Sequence, residues 1–238
     1  MFDYGGMKTG AARAWDAVDA SASSRADVLA ELSGRIRSMQ RSTLGAGSEA
    51  PVVPVASELV GLFPHGGLKP GGVYEVLSPL LATMLLSAAT RRGDWVAVVG
   101  MPDFSAAAAM AAGVDFERLI VVPHPGDQGM RVSAALADVM SVVVLGDAAA
   151  VSAGEAQRLE ARLRRTGSVM LRLGEWPGAE DRLAISERRW SGLRAGHGHL
   201  AACRITATAR GRGGTPRRVS FTLSEMSDPP GVIEHSDE

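Results

Sequence analysis

The sequence predicts a three-layer α/β domain with a mostly parallel central sheet and a terminal antiparallel hairpin. Short apolar runs without polar alternation recur between segments of helical periodicity across residues 55–173, the pattern of strands buried on both faces beneath covering helices. After Gly174 the character changes. Residues 200–209 (LAACRITATA) and 218–223 (RVSFTL) alternate in polarity around a loop at 211–216 rich in Gly and Pro, as in a hairpin. With 238 residues, 46% of them hydrophobic and 21% charged, the chain can bury a full core, which excludes disorder along its whole length.

Residues 1–54 form an extension. Val28, Leu29, Leu32, Ile36 and Met39 recur at helical spacing with Arg35, Arg37 and Arg41 off the apolar face, so a helix is expected over 24–41, ended by Gly45, Gly47 and Pro51. Leu29, Leu32, Ile36 and Met39 then offer a contact face, for the chain's own core or for a neighbour. The core spans 55–223. Strands are expected at 72–77 (GVYEVL), 95–100 (WVAVVG), 119–122 and 169–173, with a further apolar run at 139–145. Between them fall helices at 80–90, 104–112, 129–138 and 153–165, the last opening near Ser152. Residues 224–238 carry Glu225, Asp228, Glu234, Asp237 and Glu238 with two prolines and little to bury, the composition of a disordered acidic tail.

Several function classes are disfavoured. A net charge of -1 argues against a general polyanion binder and leaves only a local basic site. Cys203 is the one cysteine, which rules out an internal disulfide framework and suits a reducing, cytoplasmic compartment. No signal peptide is read at the start, and the longest greasy stretch, 77–89, is too short to cross a bilayer, so no membrane role is expected. Cys203 has no partner for nucleophilic chemistry and reads as a buried structural thiol. His197 and His199 flank Gly198 without a third metal ligand. Asp103 and Asp147 read as a helix cap and a cap or turn residue. The clearest chemical feature is a run of nine arginines with a single acid, Glu187, among them: Arg182, Arg188, Arg189, Arg194, Arg204, Arg210, Arg212, Arg217 and Arg218. Trp190 lies within it as a stacking surface. Guanidinium forks and an aromatic plane suit phosphates and bases, yet the same cluster suits an acidic protein or a passive solvated hairpin.

The run at 59–77, LVGLFPHGGLKPGGVYEVL, resembles the segment that precedes the phosphate loop in RecA-type recombinases. Arg91 to Asp94 before a strand, and Gly113-Val114-Asp115 leading into the next, follow the same order. The resemblance covers about 55–223 and implies a RecA-like core. An N-terminal helix, a linker and a degenerate RecA-like core together resemble the ImuA group of mutasome accessory proteins, in its short actinobacterial form. Phosphates are held in this fold by G-x-x-x-x-G-K-[ST], whose glycines let amides converge and whose lysine bridges the outer phosphates. At the matching place stand Leu77, Ser78, Pro79, Leu80, Leu81, Ala82 and Thr83, with no glycine and no lysine. Lys69 lies on the wrong side of the loop, the position matching the catalytic glutamate falls near Met101, and Glu175 stands where a phosphate sensor is expected and would repel one.

The expected protein is therefore not an enzyme and takes no cofactor. The resemblance implies an adaptor in a damage-induced translesion-synthesis assembly (SOS mutagenesis, a branch of DNA repair), docking onto an ImuB-like inactive relative of Y-family polymerases. RecA and single-stranded DNA remain open as further partners. The alternatives are a regulator of RecA filaments and a residual DNA-dependent ATPase.

Overall fold

The computed structural model describes residues 52–146, 151–192, 200–211, 214–224 and 232–233. The expected helix at 24–41, with Leu29, Leu32, Ile36 and Met39, lies outside the described residues. So do Asp147, Arg194, His197, His199 and Arg212.

In chain order the elements are β1 (Val53–Pro54), β2 (Gly67–Leu68), β3 (Val73–Val76), α1 (Pro79–Arg91), β4 (Val96–Val99), α2 (Ala106–Ala111) and β5 (Leu119–Val122), then α3 (Gly129–Leu136), β6 (Val142–Leu145), α4 (Ala153–Thr166), β7 (Val169–Arg172), β8 (Asp181–Ser191), β9 (Ala202–Gly211), β10 (Arg217–Ser224) and β11 (Val232–Ile233). β1 and β2 form a small antiparallel pair. The other nine strands make one sheet in the order β11-β10-β9-β8-β3-β7-β6-β4-β5. From β5 to β8 every pairing is parallel, and from β8 outward every pairing is antiparallel. The domain is a three-layer α/β fold with a mostly parallel central sheet.

Burial sorts the layers. Val76, Val96, Val98, Val142, Val144, Val169 and Leu171 point to one face and pack with Leu81, Leu85 and Ala89 of α1. Ala97, Val99, Val143, Leu145 and Met170 point to the other and pack with Ala156, Leu159 and Leu163 of α4. Because β4, β6 and β7 are buried at every position, β4 and β6 are continuously apolar and β7 is apolar up to its last residue, Arg172, whose buried guanidinium donates to the Gly146 carbonyl. The helices begin where the sequence supplies caps. Ser78 caps α1 with Pro79 at its first position, and Ser152 with Glu155 makes a capping box on α4. α4 ends on Gly167 at φ 73°, a left-handed position that glycine adopts without steric cost.

Three differences from the sequence expectation have physical causes. β8 is a full strand of 11 residues, hidden in the sequence because its outer half is solvated on both faces and lacks a repeating apolar position. The expected two-stranded hairpin is thus part of a four-stranded antiparallel extension of the main sheet, β8 to β11. Asp103 is no helix cap: Phe104 N–H donates to the Met101 carbonyl at 3.1 Å and closes a turn, and the Ser105 hydroxyl caps α2 by accepting from Ala108 N–H. Within the stretch expected to be disordered, the backbone of β11 pairs with β10, Ile233 opposite Thr222 and Val232 opposite Leu223.

At the carboxyl edge of the sheet β4 and β6 run on into a close approach. A Cβ on Gly146 would sit 1.9 Å from the Gly100 carbonyl oxygen, so only glycine fits there. Gly146→Ala is expected to lower folding stability by about 3 kcal/mol, the upper range for a forced backbone shift, read as an earlier midpoint in chemical denaturation. Gly214→Ala, with open space around its Cβ position, should leave the midpoint within about 0.5 kcal/mol of the parent.

Candidate functional site

The β3–α1 junction is where a parallel α/β sheet of this kind receives a phosphate, at the carboxyl end of a central strand and the start of a helix. Here the junction is two residues long. Leu77 N–H donates to the Leu183 carbonyl at 2.9 Å and Ala82 N–H to the Ser78 carbonyl at 3.0 Å. Leu81 N–H reaches the Ser78 hydroxyl at 3.4 Å, and Pro79 has no amide hydrogen. Ser78 is extended at φ -139°, and no positive-φ glycine falls between Gly71 and Gly93, so the backbone forms no concave nest of amides. Leu77 is half exposed, while Ser78, Leu81, Ala82 and Thr83 are buried and Leu80 packs against the core. Thr83 donates its hydroxyl to the Pro79 carbonyl at 2.9 Å, within the helix.

α1 itself is sunk into the core. Leu81, Leu85, Leu86 and Ala89 are fully buried, and Ser87 and Thr90 satisfy their hydroxyls on the Met84 and Ser87 carbonyls, which permits their burial at little cost. Lys69 is spent elsewhere, its ammonium 2.9 Å from Glu180 at the amino end of β3. Glu175 is exposed. Its neighbour Trp176 is buried, with its backbone N–H on Glu75 at 2.8 Å and its indole N–H on Glu160 at 2.9 Å. Trp176, next to Glu175 at the place of the expected sensor, packs against the α4 side of the sheet, as does Ala179.

The arginines fall on both sides of the sheet, and strand register sorts them. Residues directly opposite in an antiparallel pair share a face. Arg182 faces Arg210, Arg189 faces Arg204, and Arg218 faces Thr208, so these five arginines lie on one side with Thr206, Thr208, Ser220 and Thr222. Arg188 faces Ile205 and Trp190 faces Cys203, which places both on the opposite side. A bulge at Ser186 makes this division: one extra residue reverses the alternation of everything after it. Trp190 is 60% exposed at the outer end of β8. The stacking plane and the five arginines therefore do not share a face.

Within the five-arginine face the charges are unevenly committed. Arg189 pairs with Glu187 at 2.6 Å and Arg182 with Glu75 at 3.4 Å. Among the described residues no acid pairs with Arg204, Arg210 or Arg218, all exposed. Arg217 belongs to the fold instead. Its guanidinium holds the buried Asp181 carboxylate and donates to the Leu62 carbonyl at 2.6 Å, tying β10 to β8 and to the 3-10 turn at Ser57–Leu62. Burial pushes the Asp181 carboxyl above the ordinary carboxylate value while Arg217 pulls it back. Cys203 is 3% exposed, and burial pushes its thiol up, opposed by the nearby Arg188. Among the described residues no three His, Cys, Asp or Glu side chains cluster as metal ligands, and no helix is long and apolar enough to cross a membrane.

Two variants separate the fold arginine from the surface ones. Arg217→Ala strands a buried carboxylate and is expected to cost about 2–3 kcal/mol, reduced from a fully buried pair by its partial solvation; Arg218→Ala should change stability by less than about 0.5 kcal/mol. Because the folded Asp181 value lies above its unfolded one, its contribution is greatest in acid and is lost as pH rises through the raised value. The Arg217→Ala penalty should therefore be larger at neutral pH than in mild acid, as urea melts at both pH values will read. Cys203 should resist a thiol reagent in the native protein and react on unfolding.

With this geometry in place, the chain's similarities gain a location. Residues 61–178 match the model of the MT3502 N-terminal domain family, a span that runs from the 3-10 turn through β7 and stops before the arginine-bearing strands. The chain is also 36% identical over 164 residues to Rv3395c, an uncharacterized protein of Mycobacterium tuberculosis, across 63% of this chain and 80% of that protein.

Proposed function

The chain belongs to the family of the mycobacterial Rv3395c protein, and on that premise we propose that it is a non-catalytic adaptor of the ImuA type, in its short actinobacterial form. Its task is to dock onto an ImuB-like inactive relative of Y-family polymerases within a damage-induced translesion-synthesis assembly. The observation that carries this reading is the β3–α1 junction, where Leu77, Leu81 and Ala82 spend their amides on protein acceptors and Pro79 offers none. A triphosphate needs several converging donors and a lysine. This fold without them retains a rigid scaffold and a surface, so its action falls to contacts.

The contact surface in this reading is the open face of β8, β9 and β10, where Arg204, Arg210 and Arg218 are exposed with no acid partner among the described residues. Desolvating such a charge against a partner carboxylate gives specificity and speeds encounter. Trp190, on the other side of the sheet, serves as an apolar anchor apart from the charged face. The partner's identity rests on the resemblance alone.

Two measurements test the proposal. Titration calorimetry with ATP and magnesium is expected to give no binding heat, and micromolar affinity would overturn the non-catalytic reading. Replacing Arg204, Arg210 and Arg218 together by Glu should weaken capture of a purified ImuB-like partner roughly tenfold or more; undiminished capture removes this face as the dock. Binding of single-stranded DNA with no partner capture would reassign the same face to nucleic acid.

A further inference from the structure

The five-arginine face holds one carboxylate between its arginine rows. Strand register sets the face out in four rows: Arg182 with Arg210; Ala184 with Thr208 and Arg218; Glu187 with Thr206 and Ser220; Arg189 with Arg204 and Thr222. Successive rows are two residues apart, roughly 7 Å, so the arginines span about 20 Å. The first and fourth rows set arginine directly opposite arginine, and like charges so placed destabilise a sheet. In each of these pairs one guanidinium has an acid partner, Arg182 with Glu75 and Arg189 with Glu187, while Arg210 and Arg204 have none among the described residues.

The bulge is what puts Glu187 there. Arg182 and Ala184 point to this side, and an unbroken alternation would have Ser186, Arg188 and Trp190 follow them, giving rows with a ring for stacking bases and no acid. The extra residue presents Glu187 and Arg189 instead and sends Arg188 and Trp190 to the other side. On the reading of this face as the dock, we propose that Glu187 sets what it accepts. The face takes a protein surface whose carboxylates are separated by a cation or a neutral donor, and turns away the phosphodiester backbone of a nucleic acid.

A nucleic-acid strand carries a charge at every nucleotide, so a backbone laid along these rows brings a phosphate to the third one, against a carboxylate. Glu187 lies about 7 Å from the rows on either side, inside the screening length of about 8 Å at physiological salt, and so acts on anions seated there as well. The hydroxyls of Thr206 and Ser220, 3.0 Å apart in the same row, add no positive charge to offset it. A protein chain is free to skip a row. Acids that meet Arg210, Arg218 and Arg204, with a lysine or an amide between, use every guanidinium left without an acid and give Glu187 a partner of its own. The Glu187–Arg189 pair does not prevent this, because with side chains 47% and 75% exposed it is solvated and weak.

Defined probes binding to the full chain alone test this, so the outcome is separate from partner capture. Two labelled heptapeptides carry Glu at the first, third and seventh positions, Ser at the even ones, and either Lys or Glu at the fifth. Fluorescence anisotropy at low salt should show the parent favouring the Lys peptide by about threefold or more. That peptide has the smaller negative charge, so bulk attraction to the arginines would give the opposite order. Glu187→Lys should reverse the preference. A dT oligonucleotide of about 20 nucleotides should bind Glu187→Gln about fivefold more tightly than the parent, and Glu187→Lys more tightly still. Adding Arg204→Ala and Arg210→Ala to Glu187→Gln should remove that gain, which locates it on this face. Tighter binding of the Glu peptide by the parent, a preference unmoved by Glu187→Lys, dT affinity indifferent to Glu187→Gln, or a gain that survives loss of the two arginines would each overturn the proposal. Undiminished capture of an ImuB-like partner by the triple Glu variant, with these probe results intact, would instead remove the adaptor's dock.

Discussion

The molecule is organised around the burial of α1. Most of this helix is enclosed on all sides, and its start is fixed by Ser78, whose hydroxyl and carbonyl take the amides of Leu81 and Ala82. Two consequences follow from that single packing. The β3–α1 turn is held short and extended, so no concave ring of donors can form at the carboxyl edge of β3. The Leu77 amide is then drawn sideways onto Leu183, which adds β8 to the parallel sheet beside β3. The same contacts that close the corner thus help anchor the strand that begins the antiparallel extension.

That extension is stabilised differently from the core. β4, β6 and β7 rely on apolar burial from both faces, whereas β8, β9 and β10 are packed on one side only, through Leu183, Ile205, Ala207, Ala209 and Phe221. Their other side is solvated and carries arginine, threonine and serine. Arg217 is the exception, turned inward to neutralise Asp181 and to hold the 3-10 turn. An arginine at such a buried pair cannot also serve a partner without exposing the carboxylate it covers. Chemistry offered by the sheet to its surroundings is thereby restricted to the outward register positions.

Much of the fold was legible in the sequence because its signals are local. Continuous apolar runs announced β4, β5, β6 and β7; Ser78-Pro79 and Ser152 with Glu155 announced two helix starts; Leu77 to Thr83 lacked the glycine and lysine that a phosphate site needs. Where the reading went astray, the missing information was non-local. β8 carries too many charged residues to show alternation, and it is a strand because β3 and β9 pair with it. Asp103 lost the cap to Ser105 because a turn at Met101–Phe104 delays the helix by two residues.

The sequence by itself determined the layer architecture and showed no glycine or lysine between Leu77 and Thr83, since periodicity, caps and residue type are properties of neighbouring residues. Only the tertiary structure decided which arginines stand together. Side-chain parity along a strand is reversed by one inserted residue, and the bulge at Ser186 sends Arg188 and Trp190 to one side of the sheet and Arg182 and Arg189 to the other. It also decided that Arg217 is structural and Arg218 is not, because a carboxylate 36 positions away is buried beside one and not the other. No feature of the linear sequence distinguishes these two adjacent arginines; the long-range pairing of β8 with β9 and β10 does.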